Sequence, residues 1–193
     1  MADRTLRSKI VGIHKRGSGA SVETESELVG EEDGEVYYRM VSGAFMVGAD
    51  RFTDSGISHS EKVEVPDRPP DAVEQIETLP QQALLYRLSG DYNPLHVSPD
   101  AAEAFGFESP ILHGLCTLGI TARAVLKRYC GNDPELWKAI KARFASPVLP
   151  GQTLVVEMWR EGPTRVVVQT KVKETGKVVI NNAYVELQPT PKL

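Results

Sequence analysis

Cysteine is nearly absent from this chain of 193 residues: Cys116 and Cys130 are the only two, without the paired spacing of a disulfide framework or a zinc site. They read as thiols of a reducing compartment, with Cys116 packing as a small apolar residue. An excess of positive charge is also missing, since the net charge is −4 and the Lys and Arg residues are scattered. Nothing in that balance draws the chain to nucleic acid or to an anionic membrane. Long apolar runs are lacking as well, so no segment could span a bilayer. The basic start, with Arg4, Arg7, Lys9, Lys15 and Arg16, holds no apolar stretch long enough for a secretory signal. There is no phosphate-cradling Gly-rich loop and no dinucleotide fingerprint, so no redox cofactor is expected. His14, His59, His96 and His113 show no ligand spacing with each other or with the cysteines, so no metal is expected either. What is left reads as a soluble intracellular protein of one domain or one and a half small ones, able to bury a core without staples.

The stretch at 86–96, YRLSGDYNPLH, is what the chain has instead. It sets the carboxylate of Asp91, the carboxamide of Asn93 and the imidazole of His96 within six residues. Pro94 stiffens the loop and keeps Asn93 extended, and a rigid loop can hold two proton-transfer groups in register. The plainer reading is that Gly90, Asp91, Asn93 and Pro94 only make a tight turn.

Organisation divides into two parts. From Leu6 to about Phe52 the pattern is strand-like, with apolar stretches at 10–13 and 36–47, alternation at 21–29, and a hairpin signal at Asp33-Gly34. Two or three antiparallel strands are expected over residues 1–65, with no helix long enough to bury against them. Pro66 to Pro70 interrupts regular structure, making 66–78 a connector. Residues 79–193 then combine helices and strands. A short helix over 80–88 delivers the loop, and Ser98, Pro99 and Gly106 cap, start and stop a second. Leu115, Leu118, Ala122, Val125, Leu126 and Tyr129 recur at threes and fours, predicting one long amphipathic helix from Gly114 to Tyr129, ended by Gly131 and Asn132. Strands are expected at 140–145, 153–160, 165–172 and 178–187, with Ile140, Ala142 and Phe144 on one face of the first and Lys141 and Arg143 on the other.

The loop string, followed by ILHGLCT at 111–117, resembles the hydratase 2 signature of the MaoC-like dehydratase family, the (R)-specific enoyl-CoA hydratases. The resemblance runs from about Val63 to the C-terminus, through RPPDAV at 68–73, IKARFASPVLPGQTL at 140–154, EMWREG at 157–162 and TKVKETGKVVINNAYVEL at 170–187. It implies an α+β hot dog fold, a curved antiparallel β-sheet wrapped around a long central helix. It also implies reversible hydration of trans-2-enoyl-CoA to (R)-3-hydroxyacyl-CoA in fatty acid metabolism, with coenzyme A as part of the substrate and no separate cofactor. Residues 1–65 then correspond to an incomplete second hot dog half, whose apolar sheet face lacks a helix. That face leads us to expect a homodimer.

Onto the family's catalytic Asp and His the resemblance maps Asp91 and His96, which would grip one water between them. Asn93 aligns with a polar site residue; it either orients that water or stabilises its own turn. Gly114 opens the long helix, so its amide is an unpaired donor at the positive end of the helix dipole, matching the glycine amide with which the family polarises a thioester carbonyl. His113 reads as a packed or hydrogen-bonded structural residue, and His14 and His59 as solvated. Lys141 and Arg143 are candidates for the CoA phosphates, or simply a solvated strand face. Two other readings stand beside hydration: an acyl-CoA thioesterase on the same fold, and a non-catalytic acyl-CoA-binding remnant. The terminal Pro191, Lys192 and Leu193 resemble a peroxisomal targeting signal with Pro in place of Ser, so the expected location is the peroxisome, with the cytoplasm as the alternative.

Overall fold

Period-2 alternation makes the first 61 residues a meander. In the computed structural model, which describes residues 3–59 and 61–189, β1 (Arg4–Arg16), β2 (Gly19–Gly30) and β3 (Val36–Val47) pair antiparallel, and the two-residue β4 (Ser55–Gly56) completes a sheet of order β3-β2-β1-β4. The β2–β3 turn closes where Gly34 takes a positive φ of 69°, a conformation that costs glycine little. Register sorts the side chains by face. Leu6, Leu28 and Tyr38 stand opposite one another, as do Ile13, Val22 and Ala44, while Arg7, Glu27 and Arg39 line up on the other face. The charged face carries the Lys9–Glu25 pair at 2.8 Å and the Arg39–Glu27 pair at 2.6 Å. The opposite face leaves Leu6, Ile10, Tyr38, Met40 and Met46 exposed. As expected, no helix lies in this unit among the described residues.

The second unit begins at Lys62. Its five strands are β5 (Ala72–Glu77), β6 (Trp137–Phe144), β7 (Thr153–Glu161), β8 (Arg165–Val172) and β9 (Val178–Leu187), in the antiparallel order β5-β7-β8-β9-β6. The segment 66–78 is therefore not only a connector. Beyond Pro70, Ala72, Glu74 and Ile76 turn inward while Val73, Gln75 and Glu77 turn out, and the strand pairs along its full length with β7. Pro is tolerated beside an edge strand, which is why a proline-rich approach did not forbid one. Pro191, Lys192 and Leu193 lie outside the described residues.

Across this sheet lies α3 (Gly114–Cys130), closed by Gly131 in the left-handed conformation, φ 59°, the C-terminal stop read from sequence. The sheet face beneath it is mostly apolar: Val156 and Met158 of β7, Val166 and Val168 of β8, Val185 and Leu187 of β9 all pack with Ala124 and Val125. Burying each such side chain contributes about 1.5–3 kcal/mol. The predicted stripe is rotated, however. The fully buried positions of α3 are Cys116, Thr117, Thr121, Ala124, Val125 and Cys130, and Leu115 is 60% exposed. Thr121 faces the sheet because its hydroxyl is satisfied internally. Thr121 Oγ1 bonds the Thr117 carbonyl at 2.9 Å and Thr170 Oγ1 of β8 at 2.8 Å, which removes the penalty for burying the hydroxyls of Thr121 and Thr170. The predicted alternation along β6 fails for a related reason. Register shifts at Trp137/Ala139 and Lys141/Arg143 break the period, and Phe144 ends half-exposed. Among the described residues, no helix is long and apolar enough to cross a membrane.

Candidate active site

Two short helices aim the motif loop. α1 (Gln82–Arg87) starts after Thr78, whose hydroxyl donates to the Gln152 carbonyl at 2.7 Å and accepts from the Gly151 amide at 2.9 Å. α2 (Pro99–Ala104) is capped by the Ser98 hydroxyl, which accepts from the Ala101 amide. Between them the loop is built from local bonds. Asp91 Oδ1 accepts from the Asn93 amide at 3.1 Å, and Asn93 Oδ1 accepts from the Leu95 amide at 3.0 Å. The resulting 3₁₀ turn, Pro94–His96, begins at Asn93 and presents His96 toward the start of α3. The oxygen of the Asn93 side chain is thus committed to the turn, leaving its amide group as the part that can face a ligand. Arg87 adds a further tie, donating to the Tyr92 carbonyl at 3.0 Å.

The tautomer of His96 follows from its partner. Nδ1 lies 2.8 Å from the Ile111 carbonyl oxygen, which only accepts, so Nδ1 carries the proton and Nε2 of the neutral ring presents a lone pair. Asp91 is half-exposed. Its carboxylate and the imidazoles of His96 and His113 bring their ligand atoms within 4.8 Å of one another. The structure therefore joins Asp91 and His96, as the motif predicts, and adds His113, which sequence reading set aside as structural. His113 is 1% exposed, and its ring stacks on that of His96 with centroids 3.7 Å apart. Burial, reinforced by the neighbouring His96, pushes the His113 pKa below its usual value. The signal that could have found it was present: ILHGL places a histidine directly before the helix whose glycine faces the same cleft.

Three donors this close have metal-ligand spacing, yet they suit a metal poorly. His113 Nε2 lies 3.3 Å from the Asp91 carbonyl and 4.0 Å from Asp91 Oδ2. Coordination through Nε2 would move the proton to Nδ1, which is buried without a partner, at the cost of an unsatisfied donor.

Gly114 is the first residue of α3, and no side chain caps that end, so its amide is open to a ligand's oxygen. It lines a cleft of about 310 Å³ together with His96, Phe107, Ile111, Phe144 and Val148. The amide donor and the imidazole base thus share one apolar cleft. A Cβ at Gly114 would stand 3.3 Å from the Phe144 ring, which explains the small residue there. Lys141 and Arg143 do not line this cleft. Lys141 points along the opposite side of β6, its Nζ 5.9 Å from the Tyr184 ring centroid, and Arg143 is exposed at the irregular register. His14 is not solvated as expected: it is 6% exposed, and His59 bonds the buried Glu23 at 2.8 Å. Cys116 is buried, which pushes its thiol pKa up and leaves it inert.

The sequence profile of the MaoC like domain matches residues 61–183. The chain belongs to the MaoC-like family. Among curated relatives, the peroxisomal multifunctional enzyme type 2 of Drosophila melanogaster is 49% identical over 183 residues, 93% of this chain and 30% of that protein. The peroxisomal enoyl-CoA hydratase 2 of Arabidopsis thaliana is 44% identical over 188 residues, 93% of this chain and 60% of that protein. Solved MaoC-like structures agree in fold. A MaoC-like dehydratase from Phytophthora capsici superposes with a TM-score of 0.82 at 36% identity, covering 97% of this chain and 66% of that one. The full-length Drosophila melanogaster multifunctional enzyme gives 0.78 at 47%, covering 96% of this chain and 34% of that one. The hot dog fold expected of a MaoC-like chain is thereby shown. The chain spans less than two thirds of the length of these relatives.

Proposed function

We propose that this protein hydrates trans-2-enoyl-CoA reversibly to (R)-3-hydroxyacyl-CoA. The observation that carries the reading is the placement of His96, which lines the cleft that the Gly114 amide opens onto and whose ring comes within 4.8 Å of the Asp91 carboxylate. Hydration needs a water held against C3, a proton delivered to C2, and a donor for the charge that builds on the thioester oxygen. Asp91 and His96 Nε2 hold the water. Its oxygen bonds to C3 as the C2–C3 double bond opens, the enolate oxygen takes a hydrogen bond from the Gly114 amide, and the proton removed from water returns through the pair to C2. Reactants and product then balance as alkene plus water to alcohol. Relatives carrying the names enoyl-CoA hydratase 2 and peroxisomal multifunctional enzyme type 2 support both the reaction and a peroxisomal location. Lys141 and Arg143 are assigned to the CoA phosphates, whose charge suits cations on the edge strand β6. A second copy of the chain covers the apolar face of β1–β3, making the protein a homodimer.

The test is the decay of crotonyl-CoA absorbance with the purified protein and with Asp91→Asn, resolving the stereochemistry of the alcohol. Wild-type decay to the (R) product, reduced about 10²–10⁴-fold in Asp91→Asn, is expected. Release of a free thiol in place of hydration would move the assignment to a thioesterase, and crotonyl-CoA binding without turnover to an acyl-CoA-binding module.

A further inference from the structure

His113 is a fully buried imidazole at the centre of the site with a geometry unlike that of a passive core residue. One nitrogen, Nε2, faces two oxygens of Asp91, the backbone carbonyl at 3.3 Å and Oδ2 of the side chain at 4.0 Å. The carbonyl only accepts, so the proton sits on Nε2. The other nitrogen, Nδ1, is buried and has no partner. A second proton there would be a buried donor with nothing to bond. It would also put a cation against the stacked His96 ring, 3.7 Å away at an interplanar angle of 27°. The remaining neighbours are Tyr86, whose ring centroid lies 4.8 Å away, and the Arg87 cation, which disfavours a second positive charge, with Asp91 alone favouring it. Burial outweighs Asp91 and holds the His113 pKa below the ordinary histidine value.

We propose that His113 is a positioning residue for the acid/base pair: a permanently neutral ring that donates from Nε2 to the Asp91 carbonyl and backs the His96 ring by stacking. It pins the loop bearing both reactive groups to the first residue of α3, where the Gly114 amide stands. The pair and the oxyanion donor are then held in register by one side chain that touches neither water nor substrate. Its neutrality matters as much as its bond, because a second titrating imidazole would compete for the proton that Asp91 and His96 exchange with the substrate. This assignment deepens the hydratase reading and rests on it.

The test uses the full chain with two variants. His113→Gln retains an N–H near the position of Nε2 but has no ring, and His113→Phe retains the ring but has no donor. With crotonyl-CoA, His113→Phe is expected to lose about 10–100-fold in kcat with little change in KM, the scale on which misplacing a catalytic group acts. His113→Gln is expected to recover most of that loss, with the acid limb of its pH–rate profile in the wild-type position. In wild-type protein, ¹⁵N ring spectra should report an Nε2–H tautomer at His113 that persists as pH falls through the ordinary histidine value of about 6.5. A His113→Phe enzyme as fast as wild type would overturn the proposal. So would a His113→Gln enzyme as slow as His113→Phe with a wild-type melting curve, a displaced acid limb in His113→Gln, or an Nδ1–H or cationic ring. Should wild type fail to hydrate crotonyl-CoA, the hydratase reading falls, and the ring spectra still decide whether His113 is the neutral donor described.

Discussion

At the scale of single residues, the charged and polar groups of this protein are explained by what they touch. Glu23 is buried, and its carboxylate accepts from the backbone amide and the ring Nδ1 of His59, each at 2.8 Å. The bond from the His59 amide leads the effects that hold its pKa below the usual carboxylate range. A carboxyl with a lowered folded pKa contributes stability above its unfolded value of about 4.3, and that contribution is lost as pH falls through the folded value. Glu23→Gln should therefore melt below wild type at neutral pH, with the gap closing in acid below about pH 4; a gap independent of pH would contradict this. Gly114 is explained by reach. Alanine there meets the Phe144 ring at 3.3 Å, and that half-exposed ring can yield, so Gly114→Ala should fold with an unchanged melting point. Its methyl narrows the approach to the amide, and kcat/KM should fall about tenfold or more, short of the 10²–10³ expected when an oxyanion donor is removed. Asp91 and His96 could be read from the motif because their spacing is local. His113 is flagged only by its place before Gly114; its contact with Asp91 spans 22 residues, and nothing in the string ILHGL says which way the ring faces.

Elements were legible where periodicity or caps defined them. Strands β2, β3 and β6 to β9, the cap at Ser98 and the Gly131 stop stand within a few residues of their expected places. The stripe on α3 was misread because an apolar count treats threonine as polar. Thr121 and Thr170 satisfy one another at 2.8 Å between helix and sheet, so they belong to the core. Thr121→Val leaves the Thr170 hydroxyl buried and unpaired, and should cost about 1–3 kcal/mol in urea denaturation. The double variant Thr121→Val with Thr170→Val should recover most of that, since both polar groups are then gone. A double variant as unstable as the sum of the singles would show that the pair is not coupled. Similarly, β5 was hidden behind its prolines because an edge strand needs only one partner, and that partner, β7, lies some 80 residues further along the chain.

For the whole molecule, the feature that sequence and structure share is an apolar face on β1–β3 without a helix of its own. Leu6 at 58%, Ile10 at 64% and Tyr38 at 67% exposure leave area that costs about 25 cal/mol per Å² while in contact with water. Sedimentation at micromolar concentration should find a dimer, and Ile10→Lys with Met40→Lys should shift it to monomer; a wild-type monomer would refute the second-copy assignment. By itself the sequence determined which family the chain belongs to, most of the strands and the long helix, and the pairing of Asp91 with His96 in one loop. Each of these is written in local spacing, in the alternation of side chains along a strand or in a motif a few residues long. Only the tertiary structure decided which side of α3 is buried, that residues 72–77 close the sheet, and that His113 joins Asp91 and His96. Those outcomes depend on hydrogen bonds and ring contacts between residues far apart in the chain, whose partners no local pattern names.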